Sequence, residues 1–362
     1  MESFVNLISI MSELIKTKAP GRICFFGDHQ DYLNLPVIAG TIDRFINIEG
    51  KPNGNAHFKI KLIDFDSQIK INLNESMENL QKGDYLRSSI RVLKKSGIIV
   101  NNGYDIEIKG DIPIKAGLSS SSALTVAWLR FLTIAAGNNK KYSNEQFAKW
   151  AHESEVLEFN EAGGLMDQYT ISIGGILYIR TSNATFKKLN ASLGTIIIGN
   201  SGIEKNTQEI LSRLKNNALR AIDFVKKDYP NFKIQDSKKQ DYYDLRKNLP
   251  FELHPYFYAA IFNYDITKNA ILELENPVTD MTNIANLINA HQEILDKKLN
   301  NTPQGMIFMM KAAKSAGAKA TKIVGSGGGG CFLAMTDPQH EEKVINSILG
   351  AGAVDAFSVN LI

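Results

Sequence analysis

The sequence predicts an α+β fold built in two halves, and three observations point there. Of its 362 residues, 44% are hydrophobic, which is ample for a packed core of that size. Strand-like segments are mixed with long helical patterns, without the strict strand–helix alternation of a parallel sheet. Beyond residue 190 the order is strand, helices, strand, strand, helix, strand, which suggests a ferredoxin-like layer with added helices. The division is expected between residues 182 and 193, giving units 1–190 and 191–362.

The elements follow in order. Residues 15–23 are extended but broken by Pro20-Gly21, and 22–26 form a strand that ends at the polar turn Gly27-Asp28-His29-Gln30-Asp31-Tyr32. Residues 37–48 are strand-like, and alternation over 58–64 and 68–72 predicts a hairpin around Asp66-Ser67. Leu86, Ile90, Val92 and Leu93 mark a helix over 84–96, and 103–109 alternates as a strand. Residues 124–136 are apolar enough for a buried helix, and 143–159 form another, capped by Ser143 or Asn144. Residues 167–173 fit helix or turn, and Gly174-Gly175 precede a strand at 176–179.

In the second half, 193–200 is an unbroken apolar run, as in a buried strand. Residues 207–227 pattern as an amphipathic helix, and the polar stretch 230–241 reads as a linker or exposed loop. Helices are expected at 266–274, 280–299, 304–317 and 341–349, and strands at 322–324, 331–335 and 353–359.

The net charge of +3 leaves no footprint of nucleic-acid binding. Two distant cysteines, Cys24 and Cys331, form no disulfide framework and fit a reducing cytoplasm. Residues 4–11 are apolar, but no basic residue precedes them and Glu13 follows closely, so a signal peptide is not expected. No run reaches the roughly 18 apolar residues of a membrane span. These features predict a cytoplasmic protein without a nucleic-acid or membrane partner.

Several stretches carry candidate chemistry. In Ile112-Pro113-Ile114-Lys115-Ala116-Gly117-Leu118-Ser119-Ser120-Ser121-Ser122-Ala123-Leu124, a Gly-Leu turn runs through four serines into a helical pattern. The first N–H groups of a helix lack internal acceptors and lie at the positive end of its dipole, so such an end binds anions, phosphate above all. An ordinary capped helix would read the same. The run Gly325-Ser326-Gly327-Gly328-Gly329-Gly330 exceeds what a hairpin turn needs and favours close approach of a ligand. It matches neither the P-loop pattern nor the dinucleotide fingerprint.

Arg22, Asp28, His29, Asp31 and Tyr32 cluster in one stretch and could bind several hydroxyl groups, or simply form a polar surface turn. No second histidine or cysteine lies at ligand spacing from His29, which excludes a zinc site. Asp167, in Gly163-Gly164-Leu165-Met166-Asp167-Gln168, is a lone carboxylate among apolar residues. It is a helix cap, or a base held ionised by a cation such as Arg22. Glu155 could reach a metal, but sequence alone does not select it over Glu153, Glu158 or Glu161.

Taken together, three stretches resemble the motifs of the GHMP kinases. The first is Lys18-Ala19-Pro20-Gly21-Arg22 through Gly27-Asp28-His29-Gln30-Asp31-Tyr32. The second is the Pro113-to-Ser122 loop, and the third is Lys322-Ile323-Val324 with the glycine run and Cys331. Gly-Asp-His-Gln-Asp-Tyr and Gly164-Leu165-Met166-Asp167-Gln168 are similar to the galactokinase branch, as is the segment Leu287-Ile288-Asn289-Ala290-His291-Gln292. Asp28 stands where the family has glutamate, and Leu33-Asn34-Leu35-Pro36 replaces the galactokinase turn. The acceptor is therefore left open among galactose, a uronic acid, arabinose and an N-acetylhexosamine.

The resemblance implies a two-domain fold, an N-terminal domain like ribosomal protein S5 domain 2 and a ferredoxin-like C-terminal domain, with ligands between them. It implies ATP-dependent phosphorylation of a sugar hydroxyl, expected at the anomeric position. Lys115, Gly117, Leu118, Ser119, Ser120, Ser121 and Ser122, with Gly327 and Gly328, would bind ATP. Ser121 (or Ser120) and Glu155 would hold Mg²⁺. Asp28, His29, Asp31, Tyr32 and the backbone of Gly164 would orient the sugar. Asp167 would take the hydroxyl proton, with Arg22 keeping it ionised. Another GHMP kinase, such as one for mevalonate or homoserine, or a non-catalytic sugar sensor on the same fold, stands as the alternative.

Overall fold

The computed structural model describes residues 14–137, 142–161, 163–204 and 207–362; the apolar stretch 4–11 lies outside them. Strand β1 (Ile15–Phe26) lies antiparallel along β2 (Val37–Pro52) over its whole length. The expected break at Pro20-Gly21 is instead a register shift inside one strand. Proline has no N–H for the ladder, and a bulge absorbs the missing bond without ending the strand.

Among the described residues the first sheet continues with β3 (His57–Leu62), β4 (Ser67–Asn72), β5 (Tyr104–Gly110), β6 (Ile176–Arg180) and β7 (Thr185–Leu189). Its order is β4-β3-β5-β2-β6-β7, with β1 also on β2. Strand β7 was not expected, because Phe186 and Leu189 are its only apolar residues.

Helices α1 (Tyr85–Lys95), α2 (Ser120–Ala135), α3 (Asn144–His152) and α4 (Met166–Ile173) accompany this sheet. Asp84 caps α1 by accepting from the Arg87 N–H, and Ser143 caps α3 by accepting from Gln146. Helix α2 packs on β1 and β2 and is buried as expected. Its Trp128 stacks on Phe131 at 5.4 Å, and the indole N–H donates to the Leu86 carbonyl at 3.0 Å. Burying each such side chain contributes roughly 1.5–3 kcal/mol. A π-helical turn at Glu153–Leu157 follows α3, where sequence had suggested one continuous helix.

The second sheet holds β8 (Thr195–Asn200), β9 (Ala320–Ile323), β10 (Cys331–Thr336) and β11 (Asp355–Val359) in the antiparallel order β11-β8-β10-β9. This is the ferredoxin-like arrangement the element order suggested. Its helices are α5 (Thr207–Asp228), α6 (Lys239–Leu245), α7 (His254–Leu274), α8 (Met281–Lys297), α9 (Gln304–Ala316) and α10 (Glu341–Gly350). Helices α5 to α7 form a separate core with Leu33 and Leu35 of the first half.

Two expectations need correction here. The polar stretch 230–241 is mostly exposed, matching the exposed-loop alternative, but it is no linker: Ile234 and Ser237 are buried, and the Tyr264 hydroxyl donates to the Gln235 carbonyl. Helix α7 starts at His254, well before residue 266, because its apolar residues surround the axis instead of forming a stripe.

Strand β7, the last of the first sheet in chain order, ends at Leu189, and β8, the first of the second sheet, begins at Thr195. The last residues return to the first half, where the Ile362 N–H donates to the Thr41 carbonyl and the Gly175 N–H to the Ile362 carbonyl. No helix among the described residues is long and apolar enough to cross a membrane.

Candidate active site

A cleft of about 230 Å³ is lined by the turn after β1, the serine-rich loop, the segment before α4, the first turn of α5 and the start of the glycine run. Arg22, Asp28, His29, Asp31, Tyr32, Lys115, Gly117, Ser119 to Ser122, Glu155, Gly164 and Asp167 all line it. Leu118 does not: its side chain is fully buried in the main core, and only its carbonyl serves the site's frame by accepting the Arg22 N–H at 3.1 Å.

The serine loop is held in an unusual backbone shape. Lys115, Gly117 and Ser119 all have positive φ, a conformation that costs non-glycine residues about 1–2 kcal/mol and persists only where neighbours enforce it. One neighbour is the glycine run, since the Cys331 N–H donates to the Ala116 carbonyl at 2.6 Å. A Cβ on Gly325 would lie 2.9 Å from the Gly117 carbonyl oxygen, and one on Gly330 would lie 2.5 Å from that of Ala116. Those glycines let two loops lie back to back. Gly327 and Gly328 do not line the cleft, because they pack against Asn301 and Ile210; Gly325 and Ser326 do.

Ser119 occupies the N-cap position of α2 but caps nothing. Its hydroxyl donates to Asp167 Oδ2 at 2.5 Å instead. The first N–H groups of α2 are thus left without a side-chain acceptor at the cleft, where an anion would complete them.

Asp167, in the first turn of α4, receives a two-pronged contact from Arg22: Nε to Oδ1 at 2.7 Å and Nη2 to Oδ2 at 2.8 Å. Arg22 Nη1 donates to the Gly117 carbonyl at 2.5 Å, so one guanidinium ties the carboxylate to the serine loop. Such paired, charge-assisted bonds fix geometry as well as charge.

In the turn after β1, Asp31 Oδ1 accepts the Tyr32 N–H at 2.9 Å. Burial, and then the charge of Asp167, push the Asp31 carboxyl up to about 6. Gly164 makes room for it, since a Cβ there would come within 2.1 Å of Asp31 Oδ2. His29 Nε2 lies 3.1 Å from the Ser326 carbonyl oxygen and 3.1 Å from Asn301 Nδ2, which joins the first turn to the glycine run. Asp28 is buried and paired with Lys322 of β9. Burial is the largest influence and opposes its charge, but the Lys322 ammonium and its hydrogen bond, with His291 and His29 beside it, together outweigh burial and hold the carboxyl below its usual range.

Glu155 sits on the π-helical turn. Its Oε2 accepts from the Ser122 hydroxyl at 2.7 Å and the Gln168 amide at 2.5 Å. Burial pushes the carboxyl up to about 7, although hydrogen bonds from Ser122, Thr125 and Gln168 pull the other way. Oε1 is buried without a hydrogen-bond partner among the described residues. Ser122, rather than Ser121, touches Glu155, while Ser121 is exposed on the next position of the helix. Ser120 and Ser121, the expected partners of Glu155, line the same cleft. An orphaned carboxylate oxygen beside a hydroxyl fits Mg²⁺, which takes few protein oxygens. No group of three or more His, Cys, Asp or Glu among the described residues could hold a metal, so phosphate and water oxygens would complete the shell.

Sequence reasoning missed Tyr85, Gln168, Asn301 and Lys322. Lys322 had a signal, a charge inside a short apolar strand; Asn301 had none.

Family models match two parts of the chain, the GHMP kinases N terminal domain over residues 84–175 and the GHMP kinases C terminal domain over residues 270–353. The chain belongs to the GHMP kinase family. The mevalonate kinase of Thermococcus onnurineus is 25% identical over 348 residues, 93% of each chain. The galactokinase of Lactococcus lactis, solved in complex with galactose, matches with a TM-score of 0.86 at 19% identity, covering 99% of this chain and 96% of that one. The mevalonate kinase of Methanococcus jannaschii matches at 0.71, also 19% identical, over 97% and 98% of the two chains. The two-domain GHMP kinase fold thus runs the length of the protein, and its class of reaction is ATP-dependent phosphorylation of a small molecule.

Proposed function

We propose that this GHMP kinase transfers the γ-phosphoryl group of ATP to a hydroxyl of a neutral sugar, the anomeric hydroxyl of galactose or a close relative. The supporting observation is the charge at the acceptor end. Asp28, Asp31 and Asp167 all border the cleft there, while Arg22 is engaged by Asp167 and Lys322 by Asp28. Carboxylates are hydrogen-bond acceptors and suit an acceptor rich in hydroxyl groups. Among the described residues Arg22 and Lys322 are both engaged by carboxylates at that end, so a carboxylate acceptor such as a uronic acid or mevalonate would meet like charges there.

The first turn of α2 and the backbone of the serine loop receive the phosphates, and Lys115 adds positive charge at that end. Mg²⁺, held by Glu155 and Ser122 when bound, offsets negative charge on the phosphates. Asp167 accepts the proton of the attacking hydroxyl, and Arg22 and Ser119 fix its orientation. Phosphoryl transfer depends chiefly on positioning and charge, which this rigid, bonded frame supplies.

Mevalonate is the second reading, favoured by the name of the Thermococcus onnurineus relative. A coupled ADP-release assay with galactose, arabinose, N-acetylgalactosamine, galacturonate, mevalonate and homoserine separates the two. Turnover of galactose or another neutral sugar is expected. Turnover of mevalonate alone overturns the acceptor assignment, and ADP release with none of them favours a sensor.

A further inference from the structure

Lys322 lies in β9, outside the cleft wall, and is fully buried. Its ammonium donates to Asp28 Oδ2 and, at 2.8 Å, to the Ile323 carbonyl. An apolar side chain would fit a ferredoxin-like strand at less cost, because burying an ammonium is expensive even when it is paired. Asp28 supplies a reason for the charge. It is 2% exposed and borders the cleft. Oδ2 is taken by Lys322, whereas Oδ1 is buried without a hydrogen-bond partner among the described residues. A buried acceptor left open beside a ligand cleft calls for a donor from the ligand.

We propose that Lys322 is a positioning residue for acceptor recognition: it fixes Asp28 so that Oδ2 is committed to the protein and Oδ1 is presented to a hydroxyl of the acceptor. The proposal rests on the reading of a hydroxyl-rich acceptor given above.

The groups around Asp28 leave this task to Lys322. Arg22 and Cys24 approach from β1, His29 and Asp31 from the turn, His291 from α8 and Lys322 from β9. Arg22 is committed to Asp167 and the Gly117 carbonyl. His291 is fully buried, stacked on Phe26, and burial followed by the Lys322 charge pushes it down to about 3, so it faces Asp28 as a neutral ring. Burial, and then the Asp28 charge, push the Cys24 thiol well above its ordinary value, so it is a weak, neutral hydrogen-bond partner of the Asp28 side chain and adds no charge. His29 lies against Ser326 and Asn301. Without Lys322, burial would favour protonation of Asp28, turning an acceptor into a donor.

The test compares Lys322→Met, Asp28→Asn and the double variant, with galactose and ATP varied in turn. Lys322→Met is expected to raise the galactose KM by about tenfold or more while the ATP KM stays within about twofold, and the deficit should shrink as rising pH re-ionises Asp28. The double variant should match Asp28→Asn, because the lysine acts only through the aspartate. A folded Lys322→Met enzyme with a wild-type galactose KM at every pH overturns the proposal, as does an equal rise in both KM values.

If Lys322→Met alone does not fold, the double variant, which removes both buried charges, still decides. A match to Asp28→Asn supports the proposal, and a further loss of galactose affinity overturns it. If the wild type phosphorylates no sugar, the acceptor reading fails on its own account. A carboxyl ¹³C titration of Asp28, assigned by its loss in Asp28→Asn, then isolates the lysine's role. It should move upward in Lys322→Met, and an unmoved titration overturns the positioning role.

Discussion

Replacing Gly164 with alanine puts a methyl group where the Asp31 carboxylate lies. The new Cβ would be 2.1 Å from Asp31 Oδ2 and 2.3 Å from its Cγ, whereas ordinary contact begins at 3.4 Å. The carboxylate must therefore withdraw by about 1.3 Å. Gly164 does not have the positive φ that disfavours alanine, so the whole penalty is this collision.

Withdrawal breaks the Tyr32 N–H bond to Oδ1, a loss of about 0.5–1.5 kcal/mol and, for a domain of about 190 residues, a fall in Tm of roughly 1–6 °C. The functional cost is larger. A misplacement of about 1 Å at a positioning group costs on the order of 100-fold. We expect kcat/KM for galactose to fall by about that factor, mainly through KM, with the ATP KM within about twofold of wild type. Steady-state ADP release with each substrate varied in turn measures this. A wild-type galactose KM in a folded Gly164→Ala enzyme would refute the placement of Asp31 against the acceptor, and so would a parallel rise in the ATP KM.

Further outcomes follow from the same geometry. Asp167→Asn should lower sugar phosphorylation by about 10²–10⁴-fold while ATP affinity, measured by calorimetry, stays nearly intact; near-wild-type turnover would remove Asp167 from catalysis. Ser122→Ala should raise the Mg²⁺ concentration needed for half-maximal rate more than Ser121→Ala does, and the reverse order would restore Ser121 as the ligand. Asp31 is raised from 3.8 to about 6 in the fold, so the native state holds the extra proton between those values. Its contribution to stability is present at low pH and is lost as pH rises through about 6. The same deprotonation creates the acceptor carboxylate, so the galactose KM should fall from pH 5 to 7, and Asp31→Asn should flatten that trend.

Much of this site is legible in the sequence because its parts are local. The turn from Asp28 to Tyr32, the serine loop and Asp167 each lie in a short stretch whose residue types announce polar chemistry among apolar neighbours. What stayed hidden depends on distance along the chain. The pairing of Ser122 with Glu155 depends on a π-helical turn that no periodicity announces, and the bond from Lys322 to Asp28 spans most of the sequence. In the fold, the ferredoxin-like order was readable because its strands are short apolar runs. Strand β7 and the first part of α7 were not, the one too polar and the other apolar on all sides.

The two loops that lie back to back also bear on how this enzyme can be recombined. The cradle expected to hold phosphate comes from the first half, yet its shape is braced by the Cys331 N–H and by glycines that leave no gap for a side chain. A hybrid joining residues 1–190 to the second half of another GHMP kinase would keep every residue of the cradle and could still lose its form. Grafting between relatives should therefore move residues 115–117 together with 325–331, treating two distant stretches as one inherited piece.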